Sequence, residues 1–221
     1  DGAQDDMCCH RERPMRPKLH LLDDRLIQRI LTEAFQLLET PGVRVAPCVF
    51  DLLASAGARV DNGVAHIPEW LARKALATAP REFHLYNRAG DRAVCYGGDH
   101  VHYDPGSSCL NILDAETQTP RPAQSADLIR LVQVAEQLPQ FAAQSTAMVC
   151  HDVPTEIGDW YRLLLVLWHS EKPVVTGAFS ASSLQTMLEL LSIEAGAPDA
   201  LRQRPRAIFD VCPSPPLNWS D

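Results

Sequence analysis

Several features that would assign a chain to a large class of proteins are missing from this 221-residue sequence. Its longest apolar run, Leu163–Trp168, is far shorter than the roughly 20 residues that a membrane-spanning helix needs. Basic residues are in the minority, since 20 Lys and Arg stand against 28 Asp and Glu and leave a net charge of −8. A negative chain favours neither nucleic acid nor an anionic membrane as its main partner.

The motifs of common catalytic and cofactor sites are also missing. The sequence contains no P-loop, no G-x-S-x-G and no H-E-x-x-H motif, and no G-x-G-x-x-G follows a predicted strand, which argues against a dinucleotide-binding fold. Seven cysteines are present without a C-x-x-C pair, so we expect neither a disulfide framework nor a zinc site, but buried thiols in a reducing cytoplasm. These cysteines are Cys8, Cys9, Cys48, Cys95, Cys109, Cys150 and Cys212.

The first region of the chain, residues 1–18, is predicted to be a disordered tail. It alternates acidic and basic side chains and has no apolar segment, which does not fit a secretory signal. The other end, Asp221, follows a proline-rich stretch, and we expect neither end to be a natural domain terminus.

The second region, residues 19–123, is predicted to form a small helical layer and β-hairpins. Apolar residues at helical spacing predict a helix within 19–40, and shorter helices follow at about 47–56 and 68–78. Asn62-Gly63 predicts a tight hairpin, because both residues tolerate positive φ. Short strand-like runs from residue 82 to residue 121 predict an antiparallel β segment.

The third region, residues 124–221, alternates helices with three predicted strands. The strands are Phe141–Cys150, Lys172–Phe179 and Arg206–Val211. This order predicts a parallel sheet with right-handed crossovers, hence an α/β fold. Three strands cannot close a barrel, so we predict an incomplete TIM (β/α)8 barrel of about three βα units, with the other strands beyond Asp221.

His100-Val101-His102 is a possible metal-binding pair. In an extended chain both imidazoles point to the same face, as they do in metal hydrolases of the amidohydrolase type. The alternative is two half-exposed histidines beside a turn, and we favour it because the pair precedes the βα alternation and no further ligands are evident. We therefore predict no functional metal at these residues.

The candidate substrate-binding residues follow the predicted strands. His151 and Asp152 come directly after the first strand, and Ser214 comes after the third, at the edge where barrels place their active sites. Tyr103 is predicted to reach the same pocket from the β segment and to bind a cation with its ring. The structural alternatives are that Asp152 caps the helix that Pro154 begins, and that Ser214 belongs to a rigid loop.

In its order of segments, the sequence resembles the N-terminal half of the trimethylamine methyltransferase family, which includes glycine betaine and other quaternary-amine methyltransferases. The resemblance covers nearly all of residues 19–217. The residues that carry it are Leu38–Val45, Ala56–Asp61, Val64–Pro68, Ala77–Pro80, Leu85–Arg88, Gly97–Val101, Tyr103–Gly106, Asp114–Thr117, Arg121–Ala123, Leu138-Pro139, Asp152–Pro154 and Lys172-Pro173.

This resemblance implies a cytoplasmic TIM-barrel methyltransferase that forms a homo-oligomer when complete. Such enzymes move a methyl group from a methylated amine to the Co(I) of a corrinoid (cobalamin) carried on a separate partner protein, and bind no cofactor directly. Some members use pyrrolysine in the later part of the barrel. Family chains are about twice this length, so the catalytic residues are expected beyond residue 221.

Two consequences and two alternatives follow. We expect the 221-residue chain to be inactive alone and to self-associate, since the sheet has an open edge and Ala147, Val149, Val174 and Ile208 would lack cover. The alternatives are a metal-dependent hydrolase built on His100/His102, and a non-catalytic binding remnant.

Overall fold

A computed structural model of the chain describes residues 19–211 and 217–219. Its contacts divide the chain into two compact units, Asp1–Ala79 with Pro213–Asp221, and Pro80–Cys212. The antiparallel β segment is therefore in the same unit as the βα repeats, whereas the sequence analysis grouped it with the N-terminal helices up to residue 123.

The first unit combines helices with a small antiparallel sheet of strand order β1-β3-β2. Its elements are α1 (Asp24–Glu39), β1 (Val43–Arg44), a 3-10 turn (Pro47–Val49), α2 (Phe50–Ala56), β2 (Arg59–Asp61), β3 (Val64–His66) and α3 (Glu69–Thr78). The predicted helices and the hairpin are confirmed, and Asn62 and Gly63 have the positive φ values that a tight turn requires. The Asp23 carboxylate begins α1 by accepting the Leu26 N–H at 2.7 Å.

The core of the first unit forms where these elements meet. It consists of Val43, Val45, Ala58, Ala65 and Ile67. Residues 217–219 return to this unit alongside β1, where the Arg44 N–H donates to the Leu217 carbonyl and the Trp219 N–H donates to the Arg44 carbonyl.

The second unit begins with two antiparallel hairpins, as predicted. They are β4 (Glu82–Tyr86) with β5 (Arg92–Gly97), and β6 (Asn111–Leu113) with β7 (Pro120–Pro122). Between the two hairpins, Val101–Tyr103 is not a strand, because Tyr103 makes only an isolated bridge, to Phe141.

A parallel sheet with helices between its strands completes the second unit. Its elements are α4 (Ser125–Gln137), β8 (Gln144–Ser145), a 3-10 turn (Thr155–Ile157), α5 (Gly158–His169), β9 (Val174–Thr176), α6 (Ala181–Glu194), α7 (Pro198–Gln203) and β10 (Ala207–Phe209). The strands pair in parallel in the order β8-β9-β10, which confirms the predicted parallel α/β arrangement. Within the described residues the sheet does not close into a barrel.

Side chains from three helices cover this sheet. Leu128, Val132, Leu163, Val166 and Met187 form the centre of the core, together with Leu191 and residues of the strands. The expectation of exposed apolar side chains was wrong for Ala147 and Val174, which belong to this core and are buried. In the part of the chain that the structure describes, none of the helices has the length and apolar character to cross a membrane.

Gly42 and Gly63 make a matched pair for a stability test. Both have positive φ, at +91° and +79°, but a Cβ on Gly42 would lie 2.7 Å from the Ala65 carbonyl oxygen, whereas nothing lies within 4 Å of one on Gly63. We expect Gly63→Ala to cost about 1–2 kcal/mol in unfolding free energy, from backbone strain alone. Gly42→Ala should cost about 3 kcal/mol in unfolding free energy, because steric overlap between the new Cβ and the Ala65 carbonyl oxygen is added to the backbone strain. Urea unfolding followed by circular dichroism measures both free energies. Equal losses in the two variants would contradict the close approach of Gly42 to the Ala65 carbonyl.

Candidate functional site

The carboxyl edge of the parallel sheet carries one of the polar clusters of the second unit. A segment of the β region, Asp104–Cys109, reaches this edge by running alongside the end of β8. The Ser108 and Cys109 N–H groups donate to the carbonyls of Thr146 and Ala147 at 3.3 and 2.8 Å, and the Ser145 hydroxyl donates to the Gly106 carbonyl. Parallel α/β proteins place their sites at this edge, which makes it the candidate functional site.

A buried ion pair joins the segments that form the edge. Asp159 and Arg162 face each other in the first turn of α5, with 2.9 Å between Oδ1 and Nη2, and are only 5% and 1% exposed. The other Asp159 oxygen accepts the Phe179 N–H at 2.7 Å, and Arg162 Nη1 donates to the Thr146 carbonyl at 3.2 Å and the Ser108 hydroxyl at 3.3 Å. The pair thus fixes the ends of β8 and β9 and the 104–109 segment together.

Apolar surface is exposed at the same edge. The Arg162 guanidinium lies 5.3 Å from the centre of the Phe179 ring, and that side chain is nevertheless 71% exposed. Val211, after β10, is 89% exposed. Between the strands, the buried hydroxyls of Thr146 and Thr176 are hydrogen-bonded at 2.9 Å. The edge therefore has a polar, fixed base and an open apolar rim.

An aromatic group with two nearby carboxylates lies on the β5 side of this unit. The Tyr96 ring stacks on Phe83 and meets the edge of His102, each with 5.5 Å between ring centres. Partial burial raises the pKa of the Tyr96 hydroxyl, and the negative charges of Asp104 and Asp210 raise it further. Tyr96 therefore stays neutral at physiological pH, beside two negative charges.

Backbone hydrogen bonds place both of these carboxylate-bearing residues. The Asp210 N–H donates to the Thr176 carbonyl at 2.7 Å, which holds Asp210 at the end of β10. Asp104 accepts the Gly106 N–H at 2.8 Å in a tight turn. A cation near the Tyr96 ring would experience both charges.

His151 and Asp152 lie in a turn after β8, which ends at Ser145 and not, as the sequence predicted, at Cys150. The Asp152 carboxylate accepts both the N–H and the hydroxyl of Ser125, at 2.9 and 3.0 Å, so it caps α4 and not the helix after Pro154. His151 is exposed, and its Nδ1 lies 3.1 Å from the Val149 carbonyl oxygen.

The other two predicted substrate-binding residues are elsewhere. Tyr103 lies at the beginning of β8, where its carbonyl accepts the Ala142 N–H at 3.0 Å, and its side chain is exposed. Ser214 lies outside the described residues. His151 and Asp152 therefore lie together, as sequence neighbours, but Tyr103 does not lie with them. The role of the four residues in substrate binding stays a prediction.

The residues that organise this edge are not among the substrate-binding residues predicted from the sequence. They are Tyr96, Asp104, Asp159, Arg162 and Asp210. Two signals could have found some of them. Asp159 and Arg162 are spaced i, i+3 on the core helix, where unpaired charges are rarely buried. Asp210 lies near the carboxyl end of the third predicted strand, the end where barrels place their catalytic groups.

The cysteines and His100/His102 form no evident metal site. The two imidazoles stack with 6.2 Å between ring centres, and His102 Nε2 lies 2.7 Å from the Cys95 carbonyl oxygen. Among residues 19–211 and 217–219, no three His, Cys, Asp or Glu side chains are grouped so as to hold a metal ion. Cys95 and Cys150 are buried, as predicted, whereas Cys48 and Cys109 are exposed.

Comparison with known proteins finds similarity to one family, both in a family model and in a curated relative. The family model described as trimethylamine methyltransferase (MTTB) matches residues 3–221. The curated trimethylamine methyltransferase MttB of Desulfitobacterium hafniense (strain DSM 10664 / DCB-2) is 23% identical over 197 residues. The match covers 88% of this chain but 40% of that relative, so the chain spans about two fifths of the relative's length.

Removing one partner of the buried ion pair should destabilise the second unit strongly. Asp159→Ala leaves the Arg162 charge buried without compensation, and we expect a loss of about 3–5 kcal/mol. The matched control is Asp199→Ala, since Asp199 and Arg202 are also spaced i, i+3 but both side chains are 83% exposed. That change should cost less than about 1 kcal/mol. Urea unfolding measures both, and similar losses would contradict the importance of the buried pair.

A metal analysis tests the prediction for His100 and His102. After dialysis we expect no stoichiometric zinc or other divalent metal on the wild-type chain, and the same result for the His100→Ala/His102→Ala variant. About one metal ion per wild-type chain, lost in the double variant, would show that these residues form a metal site.

Proposed function

This chain belongs to the trimethylamine methyltransferase family, and on that basis we propose that it contributes to an enzyme that transfers a methyl group from a methylated amine to a corrinoid carried on a separate protein. Trimethylamine, glycine betaine and related quaternary amines are the candidate substrates. The observation that carries the proposal is the family match over residues 3–221, almost the whole chain. We further propose that β8, β9 and β10 are the first strands of a (β/α)8 barrel, as their parallel order suggests.

The charge of the substrate supports the carboxyl edge as its binding site. An amine nitrogen is a poor leaving group unless it carries a positive charge, so a methyl donor of this class must be protonated or quaternary. Asp104 and Asp210 supply negative charge, and the Tyr96 ring supplies a face for a cation, a contact worth about 0.5–2 kcal/mol. A quaternary ammonium cannot donate an N–H hydrogen bond, so a charged, aromatic site suits it.

The two carboxylates would act mainly in binding. The positive charge of the substrate disappears as the carbon–nitrogen bond breaks, so an interaction with that charge is weaker in the transition state than in the bound substrate. Asp104 and Asp210 would therefore increase affinity and orient the methyl group without lowering the barrier. Asp104 is partly buried and Asp210 is exposed, so screening by water limits this ground-state stabilisation.

The apolar rim fits the approach of a corrinoid. When bound, the corrinoid would supply strongly nucleophilic cobalt(I) to accept the methyl group, while the electron pair of the broken bond stays on nitrogen. Phe179 and Val211 would contact it, because they expose apolar surface at the carboxyl edge. The Asp159–Arg162 pair would hold Phe179 in place through its backbone N–H.

His151, Asp152, Ser214 and Tyr103 remain proposed substrate-binding residues. His151 is the best placed of the four, since it is exposed in the turn that follows β8. The Asp152 carboxylate already accepts two hydrogen bonds from Ser125, which makes it a positioning residue for α4 as well.

A titration with tetramethylammonium tests the cation site on the chain itself. We expect the ion to bind, and Asp210→Asn to weaken binding by about fivefold, because one of two carboxylates loses its charge. Asp152→Asn should have a smaller effect, and Asp199→Asn, on exposed α7, should have none. Isothermal titration calorimetry or NMR shifts of the tyrosine rings give the affinities.

Choline is titrated alongside tetramethylammonium, and the neutral carbon isostere of choline, 3,3-dimethylbutan-1-ol, is the control ligand. It has the shape of a trimethylammonium group without its charge, so it should bind far more weakly than the cation. Equal binding of both molecules, or equal affinities in wild type and Asp210→Asn, would contradict the cation site at Tyr96, Asp104 and Asp210.

The 221-residue chain should not transfer methyl groups alone. Its relative is much longer, and the parallel sheet has three of the eight strands that a closed barrel needs. Absorbance spectroscopy of cob(I)alamin mixed with trimethylamine or glycine betaine measures the reaction. Turnover by the isolated chain would refute the unfinished-barrel interpretation.

A further inference from the structure

The amino side of the parallel sheet contains a cluster of charged side chains. Glu194, the last residue of α6, lies between Arg88, in the loop that joins β4 to β5, and Arg206, directly before β10. Its Oε1 atom is 3.1 Å from Arg88 Nε and 2.9 Å from Arg206 Nη1. Arg206 is only 3% exposed and the Glu194 side chain is 16% exposed, so a carboxylate shared by two guanidinium groups is largely removed from water.

Backbone carbonyls hold both guanidinium groups in place. Arg88 Nη2 donates to the Ser170 carbonyl at 3.1 Å, and Arg206 Nη2 donates to the Lys172 carbonyl at 3.4 Å. Ser170 and Lys172 lie in the stretch that leads into β9. The positions of the two guanidinium groups are therefore set by the backbone around the sheet and not by the carboxylate alone.

Three buried atoms of this cluster have no hydrogen-bond partner among the residues that the structure describes. They are Glu194 Oε2, Arg206 Nε and Arg206 Nη1. Nη1 is close enough to Glu194 Oε1 for charge attraction, but its N–H groups do not point at that oxygen. Buried polar atoms almost always hydrogen-bond to the protein or to ordered water, so three such atoms in one cluster point to a bound molecule.

The chemistry of the three atoms selects that molecule. Arg206 offers N–H donors and Glu194 Oε2 is an acceptor, so the molecule must both accept and donate hydrogen bonds. A simple anion cannot donate to Oε2 and is repelled by its charge. A metal ion cannot accept an N–H and is repelled by the two guanidinium groups. Water is neutral, accepts and donates, and is small enough for a buried site.

We propose that internal water occupies this cluster, with one molecule accepting the Arg206 Nη1–H and donating to Glu194 Oε2, and with the Arg206 Nε–H also donating to water. The water completes the contact between three segments that are far apart in sequence, which are the β4–β5 loop, the end of α6 and the beginning of β10. It replaces hydrogen bonds that burial takes from the charged groups. The site lies within the second unit and does not depend on the proposed function.

NMR spectroscopy of the isotope-labelled 221-residue chain tests the water site. In rotating-frame spectra, direct contact between the Arg206 Hε proton and a bound water gives a cross peak of opposite sign to chemical exchange with solvent. We expect a contact peak at Arg206. The matched control is Arg202, whose side chain is 83% exposed and should show exchange alone. Arg206→Lys and Arg202→Lys keep the charges and identify the two signals by their loss.

The same spectra contain the results that would overturn the proposal. An Arg206 Hε signal that shows exchange alone, or no cross peak to water, would mean that no water is bound at Nε. A saturable shift of this signal on titration with sodium chloride would show that an anion fills the cluster instead.

A crystal structure of the chain gives a second test that needs no signal assignment. We expect water oxygens at about 2.7–3.2 Å from Arg206 Nη1 and Nε. Direct hydrogen bonds from these two nitrogens to the carboxylate oxygens of Glu194 would leave no role for water and would overturn the site.

Discussion

The carboxyl edge of the parallel sheet depends on the buried ion pair between Asp159 and Arg162. Both side chains have left water, so each charge is tolerable only while its partners stay in place. The partners are backbone groups of separate segments, the Phe179 N–H and the Thr146 carbonyl, together with the Ser108 hydroxyl. Movement of any one segment would expose an uncompensated charge, and this makes the edge a rigid base.

The charges above that base are handled differently. Asp159 is neutralised within the fold, whereas Asp104 and Asp210 act on Tyr96, whose hydroxyl pKa is raised mainly by burial and further by their negative charge. Tyrosine carries no charge at neutral pH, so Tyr96 does not neutralise the two carboxylates, whose field can act on a ligand. Such an arrangement suits the selection of a small cation. The charges of the rigid base are compensated, and the partly solvated groups beside it retain theirs.

The sequence predicted those features that depend on neighbouring residues. Asn62-Gly63 predicted the hairpin, since the conformation of a tight turn is set within a few residues. The Asp152 cap was assigned to the wrong helix, because Ser125, which it actually contacts, is 27 residues away and meets it only in the folded chain. The Asp159–Arg162 contacts to three distant segments were unpredictable for the same reason, although the i, i+3 spacing of the pair was visible.

The segment alongside β8 gives the parallel sheet two unlike edges. Next to β8, the N–H groups of Ser108 and Cys109 already occupy the strand-end carbonyls. At the other side, in the part of the chain that the structure describes, β10 is paired only with β9. The β10 edge therefore still offers the backbone groups with which a further parallel strand pairs. Residues 104–109 leave the ribosome before β8, β9 and β10 do. The segment that covers the end of β8 is thus synthesised before the sheet that it joins.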